Sequence, residues 1–208
     1  LKFCIQPKTG FLSQLCIEAG DAENRIPGEA NAWLSYQEQL FAELRKEAAE
    51  HPEIQLSHED NRILIKAIGK GGHSAIPKGT VNAIFLLMEF LKKIRALPEK
   101  DREVVKAFEY MMSDTQGIAL DIEWADEPSG ELVCTAVKAR MEGNVLKLLF
   151  SVRYPVTDFR ERIENALEAG VDSKMFDMKI VSNNEPMYIP QEDPYVQTLM
   201  QIYTEVTG

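Results

Sequence analysis

The chain has 208 residues, 45% of them hydrophobic and 27% charged, with 33 acidic against 23 basic side chains and a formal charge of -10. That length can bury a real core, and the negative charge repels phosphate backbones and argues against a nucleic-acid partner. The longest apolar run, 83–91, is interrupted by Glu89 and falls well short of the roughly 20 residues that cross a bilayer, which excludes a membrane span.

Three cysteines, Cys4, Cys16 and Cys134, lack CxxC spacing and are odd in number. They argue against a disulfide framework, suit a reducing cytoplasm, and are expected to be buried thiols. In chain order, 1–5 and 11–19 read as strands around a turn at 7–10. A long helix is expected over 29–50, with Trp33, Leu40, Phe41, Leu44 and Ala48 on one side. Strands at 54–58 and 62–69 form a hairpin around Glu59-Asp60-Asn61. Residues 69–79 carry four glycines and a proline, a loop with special backbone demands. An apolar helix over 80–96 and a shorter one over 101–112 follow.

In the second half, 123–131 is an acidic exposed turn and 132–139 pairs with 145–154 around Glu142-Gly143-Asn144. Helix 158–169 has Asp158 or Thr157 as its cap and Glu161 three residues on. Strand 174–181 precedes a helix that Asp193-Pro194 starts in the usual cap-then-proline manner. These elements predict an α+β, two-layer sandwich of mostly antiparallel sheet with helices on one face, in two similar halves. The expected boundaries are 1–114 and 115–184 for the halves and 185–208 for a return segment and helix. Leu1 rather than Met at the start, and a helix ending one residue before Gly208, read as a piece cut from a longer protein.

Candidate chemistry is sparse. Among three histidines there is no HExxH, GxSxG or Walker pattern. His58-Glu59-Asp60 sits on a hairpin, where neighbouring side chains alternate in direction and cannot converge on one ion. His51 reads as a residue at a helix C-terminus, favourable to the dipole. His73 lies in Gly69-Lys70-Gly71-Gly72-His73-Ser74, where glycine lets another body approach closely; it either reaches outward or hydrogen-bonds to its own backbone. Asn24 is an Asx-turn residue or a ligand-binding one. Arg153, ending an apolar strand, needs a carboxylate or solvent: a structural ion pair with the acidic turn, or a clamp for a planar anion.

The segment 69–84, with Gly72-His73-Ser74, Pro77 and Gly79-Thr80-Val81-Asn82-Ala83-Ile84, resembles the histidine loop of the co-catalytic zinc exopeptidases, the aminoacylase and carboxypeptidase group. The chain is most similar to the inserted lid of their monomeric bacterial dipeptidase branch, the PepV or Xaa-His dipeptidase type. Asn24-Arg25-Ile26-Pro27-Gly28-Glu29-Ala30 resembles that branch's Asn-x-Val-Pro-x-x-Ala, departing at Arg25, and Val152-Arg153-Tyr154-Pro155 its Arg-Tyr-Pro strand end. Glu185-Pro186-Met187-Tyr188-Ile189-Pro190 looks like the return to the catalytic domain. The resemblance implies two zinc ions bound by a missing catalytic domain of the same protein, and no metal ligand in this chain. It implies a dipeptide substrate, with His73 donating to the oxyanion and Asn24 and Arg153 holding the free carboxylate. Relatives use an equivalent domain to dimerise, so the alternatives are an oligomerisation domain or a non-catalytic small-molecule-binding one.

Overall fold

The computed structural model describes residues 1–8, 15–171 and 174–207. Strand β1 (Lys2–Pro7) is followed by β2 (Cys16–Ala19), the two-residue β3 (Arg25–Ile26) and β4 (Glu29–Ser35). Helix α1 (Glu38–Ala48) leads to the hairpin β5 (Ile54–Glu59) and β6 (Arg62–Ile68), then to the short β7 (Gly72–His73). Helices α2 (Ala83–Leu91) and α3 (Glu99–Met111) come next, then a 3-10 turn (Ile118–Leu120) and a small ribbon, β8 (Ala125–Asp126) with β9 (Gly130–Glu131). The chain closes with β10 (Val133–Glu142), β11 (Val145–Arg153), α4 (Arg160–Gly170), β12 (Phe176–Ser182) and α5 (Pro194–Thr207).

Eight strands form one antiparallel sheet in the order β12-β1-β11-β10-β2-β4-β6-β5. Its two halves are built alike. In one, β4 and β5 both lie antiparallel to β6 between them, so they run the same way, with α1 as their connection. In the other, β11 and β12 flank β1 in the same manner, with α4 as the connection. Strand β1, first in the sequence, thus holds the place in one half that β6 holds in the other. The halves meet where β2 lies against β10, with Ala139 paired to Ala19 among the described residues.

Alternation along the strands puts Phe3, Ile5, Ala30, Ala32, Leu34, Ile63, Ile65, Leu148 and Phe150 in the core, the period-two pattern of a sheet covered on one face. Phe3 and Phe150 stack with centroids 5.0 Å apart. The other face carries half-buried Cys4, Gln6, Trp33, Leu64 and Lys147. Helix α2, with six of its nine residues buried, lies between the sheet and α3, as a helix apolar on nearly all sides must. Phe108 of α3 reaches Phe176 of β12, centroids 5.2 Å apart, which extends the helical layer over the second half.

Three expectations change. Residues 29–50 are a strand and then a helix. Ala30, Ala32 and Leu34 face the core while Glu29–Ser35 hydrogen-bonds to β2 and β6, and sheet pairing overrides the helix propensity of alanine. Of the cysteines only Cys134 is buried; Cys4 is half-buried and Cys16 exposed, because both point to the uncovered face. Asp158 does not cap α4, whose N-cap is Phe159. The expected turn at 7–10 and the start of the strand at 11–19 extend into residues 9–14, outside the described residues. Asp193 does cap α5, accepting from Tyr195 N at 2.8 Å. That helix buries none of its residues, and Tyr195, Leu199, Met200, Ile202, Tyr203 and Val206 all face solvent.

Candidate functional site

His73 sits on a knot of backbone bonds. β7 pairs with β3, setting His73 opposite Arg25 and Gly72 opposite Ile26. Ser74 N donates to the Asn24 carbonyl at 2.9 Å, Gly69 N to Gly28 O at 2.9 Å and Ala83 N to Pro27 O at 3.0 Å, while Lys70 and Val81 exchange a pair of bonds. Two glycines make this closeness possible: a Cβ on Gly69 would stand 2.2 Å from Val81 O, and one on Gly71 2.8 Å from Ile26 O. Asn82 then caps α2 through Ile84 N (3.0 Å) and donates to Ala136 O of β10 (2.8 Å). The loop is thereby fastened to the sheet at both ends.

The His73 ring is exposed. Its Nδ1 accepts from Ala75 N at 3.2 Å, so the neutral ring carries its proton on Nε2, directed away from that bond. The backbone bond and the outward reach, set against each other by the sequence, coexist on different nitrogens. Asn24 is exposed as well, one residue before β3, and its carbonyl rather than its side chain makes the bond to Ser74.

Arg153 ends β11, exposed, and forms no ion pair with any described carboxylate. In the acidic turn, Asp126 is engaged elsewhere, accepting from Ser129 and from Thr157 N and Oγ1. Arg153 contributes positive charge locally.

Three buried hydroxyls link the histidine segment to that strand. Ser74 Oγ donates to Ser151 Oγ at 3.4 Å, and Thr135 Oγ1 to the Ser74 carbonyl at 3.4 Å. Ser151 lies two residues before Arg153, on the same side of β11. The fold thus places Asn24 and His73 on one ribbon and ties that ribbon to the strand bearing Arg153, with no direct hydrogen bond or ion pair among the three side chains. Ser74, Thr135 and Ser151 were not singled out from sequence, because hydroxyls paired across 61 and 77 residues leave no local pattern. Asn82 lies inside the helix expected over 80–96; the structure makes it the N-cap, and the helix begins at Ala83.

Among the described residues, no group of three or more His, Cys, Asp or Glu could hold a metal ion. His58 instead packs its ring against Tyr36 and Phe41, at 5.0 and 4.9 Å, and His51 pairs with Glu53 and Glu47 at 2.8 and 3.4 Å. Arg25 pairs with Asp21 at 3.1 Å on the surface, so the departure at this position adds a charge without displacing the ribbon. No described helix is long and apolar enough to cross a membrane.

The sequence model of the family described as "Peptidase dimerisation domain" matches residues 62–177. The putative dipeptidase YtjP of Bacillus subtilis (strain 168) is 30% identical over 151 residues, covering 72% of this chain and 32% of that protein. The Beta-Ala-Xaa dipeptidase of Lactobacillus delbrueckii subsp. lactis is 30% identical over 197 residues, covering 92% of this chain and 41% of its own. The chain therefore spans a third to two-fifths of the length of these relatives. Among solved structures, the aminoacylhistidine dipeptidase of Vibrio alginolyticus superposes with a TM-score of 0.37 at 11% identity, covering 100% of this chain and 49% of that one, too loosely to relate individual residues. On the family match and the two dipeptidase relatives, this chain belongs to the peptidase dimerisation domain family.

Proposed function

We propose that this domain is the substrate-capping lid of a dipeptidase, acting with a catalytic domain that lies elsewhere in the full-length protein. The observation that carries the reading is the ribbon that holds Asn24 beside His73 while leaving the Nε2 proton of His73 unengaged. Peptide hydrolysis turns the scissile carbonyl oxygen into an oxyanion. A donor fixed where that charge develops stabilises the transition state more than the ground state. His73 Nε2 supplies the donor. Asn24 and Arg153, both exposed, bind the free C-terminal carboxylate, which the planar guanidinium suits, and closure of the lid excludes water. In this reading the two zinc ions that the resemblance implies are held by the catalytic domain, and the lid donates and clamps. It is supported by the lack of any group of three or more His, Cys, Asp or Glu that could hold a metal among the described residues. The free thiols Cys4 and Cys16 suit a reducing cytoplasm.

In the full-length protein assayed with zinc and a dipeptide, His73→Ala is expected to lower kcat by about 10²–10³, the loss typical of one oxyanion donor; an unchanged kcat ends this role. Arg153→Ala raises KM for free dipeptides and leaves C-terminally blocked ones unaffected. Equal effects on both rule out the clamp.

A dimerising role is favoured by the family's description. Against it stands the pairing of two like halves along β2 and β10, which gives one chain the extended sheet that two copies would otherwise build. A solution mass of twice the 23.5 kDa chain would reverse that preference.

A further inference from the structure

Behind the His73 ribbon lies a cavity of about 240 Å³ between α2, α3 and β10. Sites for whole drug-sized ligands run from roughly 300 to 1,000 Å³, so this one suits a single side chain. One side of its wall, Ile26, Thr80, Thr135 and Phe150, lies on the segments that carry the proposed substrate contacts. Ile26 pairs with Gly72 and lies two residues from Asn24; Thr80 packs where a Cβ on Gly72 would stand, 2.6 Å away. Thr135 holds the Ser74 carbonyl, and Phe150 precedes Ser151 on the strand that ends at Arg153. The cavity is therefore framed by elements bearing all three groups. A dipeptide with its scissile carbonyl at His73 and its carboxylate at Asn24 and Arg153 places only its C-terminal residue between them.

The lining is mainly apolar, with Met111 and Met112 as adaptable thioethers. Among the described lining residues, Asp114 carries the one carboxylate, and no Lys or Arg is present. That carboxylate is occupied, accepting from Gln116 N at 2.8 Å, Ile118 N at 3.0 Å and Ala119 N at 2.8 Å. A charged side chain entering this cavity meets no free counter-charge and loses its hydration.

Resting on the dipeptidase reading, we infer that this cavity is the specificity pocket for the C-terminal side chain, admitting uncharged apolar groups such as leucine and rejecting carboxylates. The test uses the full-length protein with zinc, comparing kcat/KM for Gly-Leu, Gly-Gly and Gly-Asp. Gly-Leu is expected to exceed Gly-Gly by at least about tenfold, within the range that one to a few buried methylenes supply, and Gly-Asp to be the poorest. Half-buried Met112 offers both directions of change. Met112→Trp, which fills the space, lowers the Gly-Leu to Gly-Gly ratio about tenfold. Met112→Ala, which enlarges it, raises Gly-Phe relative to Gly-Leu, and carries the test alone if the larger residue prevents folding. Hydrolysis with neither ratio moved, or a preference for Gly-Asp, overturns the pocket and leaves the dipeptidase reading standing. Absence of hydrolysis of every dipeptide overturns both.

Discussion

Gly69 shows how much of the His73 geometry rests on atoms that are missing. A methyl group there would stand 2.2 Å from Val81 O and 3.0 Å from Ala83 N, so Gly69→Ala must part the paired Lys70 and Val81 backbones. Overpacking of this kind costs about 1–3 kcal/mol. The expected outcome is a lower melting temperature, with faster hydrogen exchange at the Lys70 and Val81 amides; unchanged exchange there would show that the loop relaxes some other way. The glycine loop was legible by composition; the sequence offers His73, Asn24 and Arg153 as candidates through the resemblance, and their roles belong to the proposal. What was not legible is how the histidine satisfies two demands at once. That depends on Ala75 N meeting Nδ1, a matter of loop geometry and not of residue type. That Arg153 forms no ion pair with a described carboxylate was equally hidden, since it depends on where the strand end falls relative to the acidic turn.

Single elements divide by how local their cause is. The hairpins β5–β6 and β10–β11 follow from alternation with a turn between, and both stand where the pattern put them. The segment 29–35 failed that reading because alanine-rich alternation resembles a helix until two neighbouring strands claim its backbone. Helix α4 was recognised, but its anchor was misassigned. Asp158, fully buried, accepts from Arg162 Nε at 2.6 Å and Nη2 at 2.7 Å and from Phe159 N at 2.8 Å. Arg162 also donates to Ile122 O at 2.9 Å and lies over the Trp124 ring. Removing one partner of such a pair strands the other; Asp158→Ala is expected to cost about 3 kcal/mol, the low end for a buried pair because the guanidinium is partly exposed. Urea denaturation measures it, and a loss below about 1 kcal/mol would mean that water replaces the carboxylate.

The neighbouring β8–β9 ribbon carries a pH signature. Desolvation raises the Asp126 pKa, but the bonds from Ser129 and Thr157 outweigh it and hold the carboxyl at about 2. A carboxyl depressed in the folded state contributes its stability above the unfolded value of about 4 and loses it as pH falls through the folded one. The melting-temperature gap between the parent chain and Asp126→Asn should therefore be constant above about pH 4.5 and close toward pH 2. A gap independent of pH across that window contradicts the assignment.

At the scale of the molecule, a loosely repeated strand-strand-helix-strand order was legible. The expected boundaries 1–114 and 115–184, however, put 1–5 in the first half, whereas β1 pairs with β11 and β12 of the other, and the junction between halves left no signal. The pairing of Ala139 with Ala19 joins strands too distant in sequence to leave a pattern. Gly20 guards that junction. It adopts φ +80, a left-handed conformation costly for any residue with a Cβ, and an added methyl would meet Val137 O at 2.0 Å, on the irregularity in β10. Arg140 closes over the same point, bonding Gly20 O at 3.0 Å and Glu18 at 2.5 Å. Gly20→Ala is therefore expected to destabilise by about 2–4 kcal/mol, adding the left-handed penalty to overpacking, and also to weaken the coupling between halves. The two tryptophans allow that to be read separately, since Trp33 lies on β4 in one half and Trp124 beside α4 in the other. In single-tryptophan chains (Trp124→Phe or Trp33→Phe), the two fluorescence midpoints in urea should coincide while Gly20 is present, as a two-state domain requires. They should separate in Gly20→Ala. If they fall together instead, the helical layer, with α2 packed on both halves and α3 reaching Phe176, is what binds the halves into one cooperative unit.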